Sequence, residues 1–215
     1  IFKKENVWEK YFDKYGKEAF KFSEDYKDFL DKSKTEREAV KFVKDLLDKC
    51  GFSDMDEPQK KSTKNKKGDK KNSGFYRIAH NKSIIMFVNG KKSLEEGINI
   101  IGGHIDAPRI DLKPNPLYED SGMSFFKTHY YGGIKKYQWT SIPLAIHGVF
   151  VKENGDVVEI ALGENDNDPV FTITDLLPHL AQDQMQKKLS EGIVGEELNI
   201  LIGTIPFMEK EQGKD

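Results

Sequence analysis

A histidine and an aspartate two positions apart are the residues of this sequence best suited to hold a metal ion. His104 and Asp106 lie in the stretch INIIGGHIDAPR, residues 98–109. In extended backbone, side chains at positions i and i+2 point to the same side, so both can face one site. A neutral imidazole is a common zinc ligand, and a nearby carboxylate fixes its tautomer and ring orientation. The pair alone is a weak signal, because many such pairs are ordinary polar loop residues.

The residues before this pair predict a buried strand. Three isoleucines within residues 98–101 give the β-branched, apolar texture of such a strand. Gly102 and Gly103 then allow a tight turn, and Pro108 prevents further ladder pairing. Because ligands of open sheets usually bind where strands end, we expect the ring of His104 to border a cleft. Burial in hydrocarbon, or exposure to open solvent far from any cleft, would argue against a metal site.

Other polar residues with a chemical interpretation also have an ordinary structural one. His129 in THYYGG has little support as a second ligand, and we interpret it as structural. His147 in PLAIHG lies on an apolar strand, where a single histidine is usually a core residue with satisfied hydrogen bonds. The acidic run at residues 164–168 lacks the spacing of a calcium loop and predicts a polar turn. Arg109 could attract a carboxylate or could be a surface or domain-bridging residue.

Two amphipathic helices are predicted ahead of the first strands. Aromatic and aliphatic residues recur at helical spacing over residues 1–31, interrupted at Gly16, and indicate a core or subunit-interface face. Thr35 and Glu38 have the spacing of a capping box for the second helix, and Gly51 is a C-cap. Helices that precede strands in this way favour an α/β fold.

Short strands joined by turns follow these helices. Strands are predicted from residue 75 and over residues 83–89, with a turn at Asn81 between them. Residues 142–151 and 157–162 predict a β-hairpin.

Composition limits the class of protein. The chain of 215 residues is long enough for one large domain or two small ones. Charged residues make up 33% and the net charge is −2, which predicts a soluble protein without general attraction to nucleic acid or to an anionic membrane. No apolar run approaches the ~20 residues that span a bilayer. A single cysteine, Cys50, excludes an internal disulfide and suits the cytoplasm.

A lysine-rich segment at residues 60–71 is the main feature that could suggest nucleic-acid binding. It has no arginine and no interleaved aromatic residue. We interpret it as a solvated loop and expect no nucleic-acid partner.

Three motifs together resemble a known family. HIDAPRIDLKPNPLYED, KTHYYGGIKKYQW and PLAIHG occur in this order, and they resemble the aspartyl aminopeptidase and vacuolar aminopeptidase I family of two-zinc metallopeptidases. The resemblance extends over roughly residues 75–207. It implies that His104 is a zinc ligand. It also implies that Asp106, which would hold the His104 ring in position, is a catalytic residue. It also implies that His147 reaches the active site of a neighbouring subunit and helps to hold the substrate.

The same resemblance implies a domain organisation. Residues 1–112 would form the N-terminal part of a zinc-exopeptidase-like helix/sheet/helix catalytic domain. Residues 113–215 would form an inserted β-rich domain that builds the dimer interface, with the crossing near residues 112–124. The implied assembly is a homo-oligomer in which dimers combine into a larger complex of up to twelve subunits, a dodecamer. The implied substrates are peptides.

Most of the implied metal site has no match in this sequence. A site with two zinc ions needs about five protein ligands, including a bridging carboxylate. His104 is the one ligand that the resemblance identifies. Glu196 and Glu197 look like the adjacent glutamates of the family, but the bridging aspartate that should precede them has no counterpart, so we predict that they are non-catalytic. We expect the other ligands beyond Asp215.

Two functional hypotheses therefore stay open. The first is a zinc metalloprotease that removes N-terminal residues from peptides and is inactive as the 215-residue chain alone. The second is a non-catalytic binding or assembly module derived from that family. The sequence leaves open whether an acidic or a neutral N-terminal residue is preferred.

Overall fold

The structure, a computed structural model, describes residues 4–57 and 74–206; the lysine-rich segment at 60–71 lies outside these ranges. The chain divides into two compact units, Ile1–Ala107 and Pro108–Asp215. The described residues contain both helices and small sheets, which confirms the predicted α/β class. None of the helices within the described ranges is long and apolar enough to cross a membrane.

The described part of the first unit contains two α-helices and a three-stranded sheet. The sheet has the order β1-β2-β3, with β1 parallel and β3 antiparallel to β2. The elements are α1 (Val7–Asp31), α2 (Glu36–Lys49), β1 (Ser53–Asp54), β2 (Gly74–Ala79) and β3 (Ser83–Val88), followed by a 3-10 turn at Leu94–Glu96.

The capping box of α2 and the turn between β2 and β3 lie where the sequence predicts them. The Thr35 hydroxyl accepts a hydrogen bond from the Glu38 backbone at 3.3 Å, and the Glu38 carboxylate accepts one from the Thr35 backbone at 2.9 Å, which confirms the capping box. The hairpin turn between β2 and β3 also lies where it was predicted, with φ of 52° at His80 and 56° at Asn81. In contrast, α1 continues through Gly16 without the predicted interruption.

The predicted strand before the metal motif is absent. Residues 98–107 have no regular secondary structure, and Ile100 and Ile101 are 82% and 99% exposed. A strand is stabilised by a hydrogen-bonded neighbour, and none of the described strands pairs with these residues. The apolar composition of residues 98–101 indicates a segment suited to burial. Burial also requires a neighbouring surface, and the composition of the segment does not show whether one is present.

A small polar network joins α2 to the sheet of the first unit. The hydroxyl of Tyr76, a residue that is 2% exposed, donates to Asp48 Oδ1 at 2.7 Å, and Lys44 Nζ contacts Asp48 Oδ2 at 2.7 Å. The Lys44 and Tyr76 hydrogen bonds hold the pKa of Asp48 below its usual value. Burial, followed by the hydrogen bond to Asp48, raises the pKa of Tyr76.

This network gives the stability a defined pH dependence. A carboxyl group whose pKa is lower in the folded state stabilises the protein above its unfolded pKa of about 4, and this contribution is lost as the pH falls through the folded value. We therefore expect Asp48→Asn to be less stable than the native chain at pH 7 and the difference to shrink at pH 3. Urea denaturation at both pH values measures it. Asp45→Asn on the same helix is the control, and a difference that stays constant with pH would contradict the prediction.

The described part of the second unit contains a three-stranded antiparallel sheet, a separate hairpin and one short α-helix. The sheet has the order β4-β5-β8, and β6 pairs with β7. Its elements are β4 (Arg109–Asp120), β5 (Met123–Tyr131), β6 (Ile146–Val151), β7 (Val157–Leu162), α3 (Gln182–Met185) and β8 (Ile200–Gly203). Its core is built on Phe171, Ile173, Leu198 and Ile200.

Residues 112–124, where a crossing between domains is predicted, lie in the β-hairpin formed by β4 and β5. Strand β4 continues through Pro114 and Pro116, and its pairing with β5 shifts register between Leu112 and Leu117. Prolines are tolerated on an edge strand or at a bulge, and β4 lies at the edge of its sheet. The two compact units divide after Ala107, five residues before the boundary predicted at 112/113. The functional roles predicted for residues 1–112 and 113–215 stay predictions.

Candidate functional site

The candidate zinc ligand His104 is held by the residue predicted to orient it. Its Nδ1 lies 3.0 Å from the backbone oxygen of Asp106 and 3.2 Å from Asp106 Oδ1. A proton on Nδ1 can be donated to these oxygens, and the lone pair is then on Nε2. The short separation of the two residues produces this contact although the predicted strand does not form.

The surroundings of His104 differ from the predicted cleft. Its side chain is 84% exposed and lies in the irregular segment that follows the 3-10 turn. Across residues 4–57 and 74–206, no group of three or more His, Cys, Asp and Glu side chains could hold a metal ion. The expectation of a cleft around this ring was therefore wrong for the described residues, which present one oriented imidazole and no complete coordination sphere.

The second candidate, His147, lies in a more enclosed environment. Its position in β6 is opposite Ala161 of β7, and its side chain is 12% exposed. His147 Nε2 lies 2.7 Å from Glu164 Oε1. The sequence indicates the histidine as a candidate but not its partner glutamate, which is 17 residues away along the chain. The acidic run was visible in the sequence, but only the hairpin register shows which histidine it contacts.

The acidic run forms a tight polar turn, as predicted. Asp168 Oδ2 accepts hydrogen bonds from the backbone N–H groups of Gly163, Glu164 and Asn165, and from Asn165 Nδ2. Hydrogen bonds from Asn165, followed by those from the other two residues, lower the pKa of Asp168. Glu164 therefore follows β7 on a backbone that is held at several points.

The Glu196 carboxylate forms an ion pair with Lys113 and lies at hydrogen-bond distance from His129, both within the second unit. Lys113 Nζ contacts one oxygen, and His129 Nδ1 lies 3.0 Å from the other. Lys113, followed by His129, lowers the pKa of Glu196. These contacts join β4, β5 and the turn before β8, which supports the structural interpretation of His129. That Glu196 and Glu197 are non-catalytic stays a prediction.

Arg109 takes part in a similar local arrangement. Its Nε donates to Asp111 Oδ1 at 2.8 Å, and its guanidinium lies 4.1 Å from the centre of the Tyr131 ring. Arg109 and Tyr131 are opposite each other in the β4–β5 register. These contacts support the structural interpretation of this arginine in the second unit.

Comparison with known families decides the assignment. The family model described as "Aminopeptidase I zinc metalloprotease (M18)" matches residues 29–215. The chain belongs to the M18 family. The resemblance inferred from its three motifs is thereby confirmed, and so is the link to zinc at the level of the family.

Individual M18 relatives agree with this assignment. A probable M18 family aminopeptidase 1 from Clostridium acetobutylicum is 49% identical over 207 residues, which cover 96% of this chain and 44% of the relative. The crystal structure of an M18 aminopeptidase from Thermotoga maritima matches with a TM-score of 0.83 and 43% identity, over 99% of this chain and 44% of that one. The chain therefore spans less than half the length of these relatives.

A more distant similarity concerns the fold alone. A yeast structure described as a dodecamer matches with a TM-score of 0.57 and 21% identity, over 84% of this chain and 38% of that one.

Proposed function

We propose that this chain provides part of the zinc site and part of the subunit interface of an M18 aminopeptidase that removes N-terminal residues from peptides. One observation carries the proposal: the family match includes a histidine whose ring is oriented by an aspartate two residues later. The remaining metal ligands would come from sequence outside residues 1–215. The enzyme would act in the cytoplasm on peptides that fit its N-terminal pocket.

The contacts between His104 and Asp106 support the role of a zinc ligand, whereas the 84% exposure of the His104 side chain does not. Ligating histidines usually donate their other ring N–H to a carboxylate or a backbone carbonyl, and His104 contacts both kinds of oxygen on Asp106. In the proposed site Asp106 would fix the tautomer of His104, so that Nε2 presents its lone pair. A pair of zinc ions, when bound, would supply a water with a lowered pKa and polarise the peptide carbonyl.

His147 would act across the subunit interface. We propose that it reaches the active site of a neighbouring copy, where it would bind the substrate or stabilise the developing oxyanion. Its position on a two-stranded hairpin supports this role, because a hairpin holds a side chain more firmly than a loop. The active form would then be a homo-oligomer.

A non-catalytic assembly module is the second candidate function. The observation in its favour is the 84% exposure of His104 together with the absence of a complete ligand set in the described parts of the chain. In this case the motifs would belong to an oligomer scaffold that does not turn over peptides.

Metal analysis combined with a peptidase assay separates the two functions. We expect the 215-residue chain to bind zinc weakly and to show no hydrolysis. A full-length polypeptide that continues beyond Asp215 should retain two zinc ions per subunit after dialysis and release N-terminal residues. Hydrolysis by the 215-residue chain alone would refute the placement of the other ligands outside it. A full-length protein without zinc and without activity would favour the assembly module.

A further inference from the structure

We propose that Glu164 is a positioning residue that fixes the imidazole of His147 for its contact with the substrate. The proposal rests on the proposed function of His147 and adds a residue that the family motifs did not identify. Its direct basis is the 2.7 Å distance between His147 Nε2 and Glu164 Oε1. The ring is 12% exposed and the Glu164 side chain is 43% exposed, so the contact is enclosed on the side of the imidazole and open to water on the side of the carboxylate.

The backbone of Glu164 is itself held in place. Its N–H donates to Asp168 Oδ2 at 3.2 Å, and the N–H groups of the residues on either side donate to the same oxygen at 3.1 Å. The Asp168 carboxylate thus accepts hydrogen bonds from three consecutive backbone N–H groups. These hydrogen bonds restrict rotation of the peptide planes in this turn. Asp168 therefore stabilises the position from which the Glu164 side chain reaches the ring.

A glycine brings this turn close to the beginning of β6. Gly163 has a φ of +99°, a conformation that favours glycine. A Cβ on Gly163 would lie 3.0 Å from the Cα of Ala145 and 3.2 Å from its Cβ. Because Ala145 lies two residues before His147, this close approach sets Glu164 beside the ring. The arrangement is built by the turn and both strands of the hairpin, and not by a chance contact of two long side chains.

The chemistry of the contact gives it a functional consequence. An imidazole on a strand can rotate about two side-chain torsions, and either nitrogen can carry the proton. A carboxylate in a fixed position accepts the Nε2–H, so it selects one ring orientation and one tautomer. In this neutral tautomer Nδ1 carries a lone pair in a defined direction, which can accept a hydrogen bond from the substrate but cannot donate one to an oxyanion. Orientation of this kind lowers the entropic cost of forming a productive complex.

The contact can be tested without any enzymatic activity. In the ¹⁵N-labelled 215-residue chain, the His147 Nε2–H should give a ring proton signal that exchanges slowly with water. We expect Glu164→Ala to abolish this slow exchange and Glu164→Gln, which keeps an acceptor oxygen, to retain part of it. Glu153→Ala, in the turn at the other end of the same hairpin, is the matched control and should leave the signal unchanged. An unchanged signal in Glu164→Ala would overturn the proposal.

The functional consequence is tested in the full-length oligomeric enzyme. We expect Glu164→Ala to lower kcat/KM about tenfold, the lower end of the effect of removing a residue that orients a site histidine. Glu164→Gln should recover part of the loss, and Glu153→Ala should behave as the native enzyme.

The His147→Ala variant shows whether a negative result concerns only the positioning role of Glu164 or also the proposed function of His147. If His147→Ala lowers kcat/KM but Glu164→Ala does not, the positioning role is overturned and the proposed function stands. If neither substitution changes kcat/KM, the proposed function of His147 fails and the positioning role fails with it. A loss in both variants, with the slow exchange absent in Glu164→Ala, supports the proposal.

Discussion

Substitution of His104 by alanine in the full-length enzyme is expected to lower kcat/KM at least about a thousandfold, which corresponds to ~4 kcal/mol of transition-state stabilisation. The physical reason is that the substitution would remove one of the few protein ligands that hold a catalytic zinc ion. Loss of the ligand should also reduce the zinc that remains after dialysis, so metal content and peptidase rate should fall together. Both are measured on the same preparation.

Two variants make this experiment specific. Asp106→Asn keeps the size of the side chain but weakens the contact with His104 Nδ1, and we expect a loss of about 10- to 100-fold in activity or zinc affinity. His80→Ala is the matched control, because His80 is an exposed histidine in the β2–β3 turn of the same unit. A His104→Ala enzyme that retains its zinc and its rate would refute the assignment of this residue.

A large effect on stability is expected at the centre of the second unit. Leu198 is 0% exposed and packs with Phe171, Ile173 and Ile200. Leu198→Ala should lower the free energy of unfolding by about 3 kcal/mol, because the lost transfer energy is added to the cost of a cavity. The cavity cannot be filled easily, since the backbone at Leu198 is held by the buried hydroxyl of Thr128.

The chain offers both a matched control and a reporter for this measurement. Leu189→Ala removes the same atoms from a side chain that is 66% exposed, and its stability should change by less than about 0.5 kcal/mol. Trp139 packs against the core of this unit, so its fluorescence in a Trp8→Phe background follows the unfolding of the second unit. Equal losses in the two leucine variants would contradict the assignment of the core.

Residues close together in the sequence were the ones whose contacts could be predicted. The capping box of α2 joins residues three positions apart, and the contact of His104 with Asp106 joins residues two positions apart. Such contacts depend on a few torsions that local sequence controls. The family motifs are informative for a related reason, because each is a continuous stretch that can be compared without knowledge of the fold.

Contacts between distant residues could not be predicted from the same information. His147 meets Glu164 across 17 positions, and Glu196 meets His129 across 67 positions and Lys113 across 83. Which partners meet depends on strand register, and a shift of one residue moves every side chain to the opposite face of a strand. The sequence pattern indicates the two histidines, but it does not indicate which carboxylate each of them contacts.

The sequence by itself determined the family, the oriented His104–Asp106 pair and the main turns, because these depend on residue identity and short-range geometry. The tertiary structure decided which carboxylate holds His147 and whether residues 98–101 form a strand. Burial and strand pairing are properties of neighbouring surfaces, and the apolar character of one segment does not provide those neighbours. For this reason the same isoleucines that predict a buried strand are exposed beside the candidate zinc ligand.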